Sequence, residues 1–230
     1  MKGESRTSRR VEAVIFDMDG LMVNSEDLWE ETERLYFTRK GHTYSNEEFD
    51  GLLMGRKKEE SAAVIKERLG LEDSIEAIIS ERFAILRTLC DERLELMPGL
   101  LSLLDSLVER GVPLALASSS PMDQIHFVLD RFDLRRHFPT ILSGDMVLRG
   151  KPAPDIYLMT AERLGKEPSA CLALEDTVNG ARAAKAAGMI CLAIPDKRQQ
   201  GLDFSMADGA FASLEELDAD TVLSFQPAAR

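Results

Sequence analysis

The chain has 230 residues, 44% of them hydrophobic and 30% charged, with a formal net charge of −12. That balance describes a globular protein rather than a disordered or membrane-spanning one, and a chain of this length buries well over half of its unfolded surface without staples. The negative field disfavours nucleic acid as a partner, and it admits a small anionic substrate only where lysines or a metal ion line the pocket.

The longest apolar stretches are far too short to cross a bilayer. The polar, basic residues 1–10 are followed by no apolar signal core, so no secretion signal is expected. Cys90, Cys171 and Cys191 are widely spaced and form no C-x-x-C pair. Neither a disulfide framework nor a zinc site is expected, and Cys171 and Cys191, each opening an apolar run, are expected to be buried as small hydrophobes in a reducing cytoplasm.

Residues 11–16 form a short apolar run that reads as a buried strand. It ends directly on Asp17-Met18-Asp19-Gly20. Two carboxylates at the end of a buried strand need compensation by a cation or by hydrogen bonds, and a bound metal ion would supply it. An isolated motif of this kind reads equally well as an acidic turn.

Residues 24–96 are helical in pattern throughout, with helices expected over 26–40, 47–54, 58–69 and 75–89. These four helices are expected to form a small bundle inserted after the first strand, entering and leaving beside the strand ends, where a lid belongs.

From residue 97 onward the pattern alternates. Pro98-Gly99 opens an amphipathic run to Arg110, Gly111 stops it, and residues 112–117 form an apolar strand. Pro152 and Pro154 precede a helix over 155–164, followed by a strand over 171–174, a helix over 178–187 and a strand over 189–194. Proline at helix starts and glycine just past helix ends support these boundaries. Alternating elements with near-continuous apolar strands imply a parallel sheet covered on both faces. Ligands in such sheets bind beyond the carboxyl ends of the strands, which singles out Asp17 and Asp19, Ser118, and Glu175 with Asp176.

Four motifs thus stand in order: Asp17-Met18-Asp19-Gly20, Ser118 in Ala117-Ser118-Ser119-Ser120, Lys151 in Gly150-Lys151-Pro152-Ala153-Pro154-Asp155, and Glu175-Asp176-Thr177. Together they resemble the haloacid dehalogenase superfamily, in its β-phosphoglucomutase-like, sugar-phosphate phosphatase branch. The resemblance spans residues 11–194. It implies an α/β fold in which a Rossmann-like, doubly wound parallel sheet (residues 1–23 and 97–230) carries an inserted all-α four-helix cap domain (residues 24–96).

Carboxylates, a lysine and a hydroxyl, without a usable histidine, suit phosphoryl transfer through an aspartyl phosphate. Asp17 is the expected nucleophile. Asp19 is the expected acid and base, protonating the leaving oxygen and then activating water. Mg2+ is the expected cofactor, held by Asp17, Asp176 and the Asp19 carbonyl with Glu175 in or beside its shell. Lys151 is expected to bridge Asp17 and the phosphate, with Ser118 and Ser119 on the phosphate oxygens.

In β-phosphoglucomutases a histidine stands near the start of the first cap helix, where this chain has Trp29. The cap entrance looks more like that of sugar-phosphate phosphatases or of pseudouridine-5′-phosphatase. The turn Leu53-Met54-Gly55-Arg56-Lys57-Lys58 resembles the branch's specificity loop, making Gly55, Arg56 and Lys58, with Trp29, candidate substrate contacts. The expected activity is Mg2+-dependent hydrolysis of small phosphomonoesters, sugar phosphates or nucleoside monophosphates. The alternatives are a phosphosugar mutase and a phospho-accepting signalling module. The expected partner is a small phosphorylated metabolite, without nucleic acid or membrane, bound by a cytoplasmic monomer.

Overall fold

The computed structural model describes residues 10–53, 58–196, 199 and 201–226. Its centre is a sheet of six parallel strands in the order β3-β2-β1-β4-β5-β6. The strands are β1 (Ala13–Phe16), β2 (Leu114–Ser118), β3 (Thr140–Ser143), β4 (Cys171–Glu175), β5 (Ile190–Ala193) and β6 (Gly209–Ala210). The chain starts in the middle, winds outward through β2 and β3, then returns to β4 on the other side of β1. That reversal leaves a crevice at the carboxyl ends of β1 and β4.

Alternation along each strand divides the core between the two faces. Ala13 and Ile15 of β1 share a buried cluster with Ala115, Ala117, Ala173 and Cys191. Helices α7 (Asp155–Leu164) and α8 (Val178–Ala186) cover that face, α8 through Ala181, Ala183 and Ala184. The small residues allow close helix approach. Val14 and Phe16 belong to the opposite face, with Leu116, Leu174 and Leu192. There α5 (Leu100–Glu109), α6 (Met122–Arg131) and α9 (Ala219–Ser224) supply Leu104, Val128 and Val222. All three cysteines are buried, Cys171 and Cys191 as expected.

Between β1 and α5 the chain forms α1 (Ser25–Arg39), α2 (Asn46–Leu53), α3 (Lys58–Leu69) and α4 (Ile75–Arg93). The expected helices are all present, α4 extending one further turn. Helix α4 packs on α1 and α3, and its start is capped by Ser74, whose hydroxyl accepts from Ala77 N at 3.2 Å. The two chain segments joining this insertion to the sheet run side by side. Asn24 N donates to Glu95 O at 3.1 Å, Asn24 Oδ1 accepts from Glu95 N at 2.8 Å, and Met97 N donates to Met22 O at 2.9 Å. The insertion therefore leaves the crevice and returns to it at one place.

The elements between residues 121 and 150 are additional to the sequence expectation. Strand β3 offers only Ile141 and Leu142 as apolar residues and is half-buried at its start, so it presents no apolar run. No helix among the described residues is long and apolar enough to cross a membrane.

Gly99 opens α5 with φ +84°, and a Cβ there would overlap the backbone of Leu214 and Glu215. Gly99→Ala is expected to destabilise the fold by more than about 1 kcal/mol, read as a lower urea midpoint at unchanged slope.

Candidate active site

Asp17 is the first residue past β1, and its N–H donates to Leu174 O at 3.1 Å, which keeps it beside β4. Glu175 ends β4 and Asp176 follows it. All three side chains are buried, and each offers a carboxylate oxygen within 4.8 Å of the others. Lys151 reaches in from the loop before α7. Its Nζ donates to Asp17 Oδ1 at 2.6 Å, to Glu175 Oε1 at 2.7 Å and to Ala117 O at 3.1 Å. The Tyr157 hydroxyl of α7 also donates to Glu175 Oε1, beneath the ammonium.

One lysine does not balance three buried carboxylates. Both Asp176 oxygens and Glu175 Oε2 are buried without a hydrogen-bond partner. Burial first, and then the neighbouring carboxylates, push Asp17 and Asp176 well above the ordinary carboxyl range, although Lys151 pulls against this. Burial pulls Lys151 down, but Asp17 and Glu175 more than offset it, so the lysine stays charged. Orphaned oxygens of this kind, in an oxygen-only donor set, fit a hard divalent cation. Two glycines make room for the cluster: a Cβ at Gly20, where φ is +79°, would overlap the Asp176 carboxylate, and one at Gly180 would overlap that of Glu175.

Asp19 is held apart from this cluster. Its Oδ1 accepts from Ser25 Oγ at 2.8 Å, and its Oδ2 accepts from Ser118 Oγ at 3.2 Å and Ser120 Oγ at 2.7 Å. Ser118 is fully buried and its hydroxyl also accepts from Ser120 N at 3.0 Å, whereas Ser119 and Ser120 line the open pocket. The three hydroxyls fix the second carboxyl at the pocket wall, off the convergent trio.

The inserted helices line one side of the pocket. Trp29 of α1 meets Phe83 of α4 edge-to-face, ring centroids 5.3 Å apart, and Ser61 of α3 lies beside them. Lys58 also lines the pocket and pairs with Asp145 of the sheet side at 2.8 Å. Arg82, likewise on the wall, is buried against Glu33 of α1 through both Nε and Nη2. The expected contacts Trp29 and Lys58 are thus at the pocket, while Gly55 and Arg56 lie outside the described residues.

Sequence reasoning overlooked Ser25, Ser120, Tyr157, Glu33, Arg82 and Phe83. Ser120 carried a signal, being part of the same serine run as Ser118 at the end of a strand. Arg82 and Glu33 carried a weaker one, charged residues on otherwise buried helix faces.

Residues 11–188 match the haloacid dehalogenase-like hydrolases. The chain belongs to that family. Hexitol phosphatase B of Escherichia coli (strain K12) is 34% identical over 94% of this chain and 99% of its own. A phosphorylated carbohydrates phosphatase of Thermotoga maritima is 34% identical over 86% of this chain and 88% of its own. Among solved structures, CbbY of Rhodobacter sphaeroides in complex with phosphate superposes with a TM-score of 0.85 at 29% identity, over 94% of this chain and 100% of that one. A mutant of that protein has also been solved with xylulose-1,5-bisphosphate, at a TM-score of 0.83 and 28% identity over 94% of this chain and 100% of that one.

For this haloacid dehalogenase-like hydrolase the raised carboxyls set a pH dependence. In the metal-free protein they hold protons above the ordinary carboxyl range, and a divalent ion must displace them. Affinity for a divalent cation is therefore expected to rise with pH above the ordinary carboxyl range, with proton release on binding. Calorimetric titration in buffers of different ionisation enthalpy checks both, and a pH-independent affinity would contradict the assignment.

Proposed function

We propose that this hydrolase is a Mg2+-dependent phosphatase of small phosphomonoesters, sugar or polyol phosphates first and nucleoside monophosphates second, acting through an aspartyl phosphate on Asp17. The observation that carries the reading is the separation of two carboxyl environments: Asp17 converges with Glu175 and Asp176 around Lys151, while Asp19 is held by three hydroxyls across the pocket. The names of the phosphatase relatives support the substrate class.

In the proposed reaction an Asp17 oxygen attacks phosphorus as the bond to the ester oxygen breaks, and Asp19 delivers a proton to that leaving oxygen. Water then attacks the phosphorylated Asp17, Asp19 takes its proton, and the bond to Asp17 breaks to release phosphate. The serine hydroxyls around Asp19 can donate to its ionised form or rotate to accept from its protonated form, so one cradle serves both halves. Lys151 holds one Asp17 oxygen in place and meets the incoming phosphate with positive charge. Ser119 and backbone N–H groups beyond β2 take phosphate oxygens, with Ser118 acting through Asp19. A Mg2+ ion held by Asp17, Asp176 and the Asp19 carbonyl, with Glu175 beside it, would offset the repulsion between the attacking carboxylate and the phosphate, about 4 kcal/mol for unit charges ~4 Å apart at an effective dielectric of 20.

The same reading divides the chain into a catalytic core, residues 1–23 and 97–230, and a cap, residues 24–96, whose helices exclude water over the pocket. Trp29 and Lys58 would touch the non-phosphate part of the substrate. The protein would work as a cytoplasmic monomer.

A phosphate-release panel over sugar, polyol and nucleoside monophosphates is expected to give Mg2+-dependent turnover that EDTA abolishes. Asp17→Asn is expected to lower kcat by more than about a thousandfold while circular dichroism and the thermal midpoint stay near the parent values. Sustained turnover by the purified variant would falsify the nucleophile assignment, and isomerisation of a sugar 1-phosphate without phosphate release would favour a mutase.

A further inference from the structure

Each cation that lines the pocket among the described residues already has a carboxylate partner. Lys151 is shared by Asp17 and Glu175. Away from the strand ends, Arg82 is clamped by Glu33 and Lys58 by Asp145. The Arg82–Glu33 pair is buried, so water screens it little, and its two nitrogens on one carboxylate fix the guanidinium plane against the Trp29 ring, 5.5 Å from the ring centroid. The acidic side chains of Asp17, Asp19, Glu26 and Asp176 line the same space. The part of the pocket remote from Lys151 therefore presents aromatic edges, a serine hydroxyl and cations whose charge is cancelled. That surface suits hydroxyl groups and carbon faces. A second phosphate would meet these carboxylates with no unpaired cation among the described residues to answer it.

We infer that this pocket selects phosphomonoesters whose remaining part is an uncharged polyhydroxyl chain and rejects bisphosphates, and that Glu33 and Asp145 are the specificity-determining residues because they cancel Arg82 and Lys58. The inference rests on the phosphatase reading and narrows its substrate class. It separates this chain from its relative CbbY, whose solved complex holds a bisphosphate.

The test compares kcat/KM for a hexitol monophosphate and the hexitol bisphosphate of the same carbon skeleton, with Mg2+ present. The parent enzyme is expected to prefer the monophosphate by about tenfold or more. Glu33→Gln keeps a side-chain acceptor for Arg82 but removes the charge, and Asp145→Asn does the same for Lys58. Each is expected to shift the bisphosphate-to-monophosphate ratio upward by about tenfold, mostly through KM for the bisphosphate. Should Glu33→Gln fail to fold, the half-exposed Asp145→Asn decides alone. Parent enzyme that uses the bisphosphate as well as the monophosphate overturns the inference, and so does an unchanged ratio in the folded variants. Absence of phosphate release from both substrates would instead defeat the phosphatase reading itself.

Discussion

Three buried carboxylates converge at the carboxyl ends of β1 and β4 beside one lysine that bonds only two of them, and the rest of the site is arranged around that imbalance. Asp17, Glu175 and Asp176 come together because β1 and β4 are neighbours in register, Phe16 opposite Leu174, so the residues that follow these strands must meet. Lys151 reaches them across the sheet end and ties the β2 backbone into the cluster through Ala117. The unsatisfied oxygens of Asp176 and Glu175 are costly in a fold whose other buried polar groups are mostly paired. In enzymes such a cost is commonly retained because the site is completed by a ligand, here on the proposed reading a divalent cation and then a phosphate.

The second carboxyl is treated differently by its surroundings, and that difference is what turns an acidic pocket into a candidate acid–base site. Asp19 stands only two residues beyond Asp17, yet the tight turn at Gly20 and the start of α1 direct it toward Ser25, Ser118 and Ser120. Its ligands are hydroxyls, which can reverse the sense of their hydrogen bonds. The carboxylates around Lys151 face an ammonium, which cannot. Two carboxyls close in sequence thus occupy environments suited to two different tasks.

The inserted helices contribute in a third way. They add no carboxylate to the convergent trio; they supply a wall of aromatic rings and internally neutralised ion pairs. Buried pairs such as Arg82–Glu33 are weak sources of stability, because desolvation offsets much of their attraction, but they hold geometry and suppress a net charge. The Lys58–Asp145 pair is exposed enough to be screened and joins an inserted helix to the sheet side of the pocket. The wall is therefore polar without being electrostatically attractive to a second anion.

Much of this was legible in the sequence, because the strong signals are local. Apolar runs, prolines before helices and glycines after them located nearly every strand and helix that builds the crevice, and polar residues at strand ends pointed to Asp17, Asp19, Ser118, Glu175 and Asp176, with Lys151 added by the motif that carries the family resemblance. Strand β3 escaped because an edge strand with one apolar pair has no period to read, and Tyr157 escaped because its hydroxyl is defined by the Glu175 carboxylate that α7 meets at the end of β4. Residue types and their order are local and determine which groups are present at each strand end. Which oxygen is left orphaned, which cation is cancelled and which distant serine holds Asp19 depend on residues 49 to 134 positions apart meeting within a few ångströms, and only the packed chain decides that.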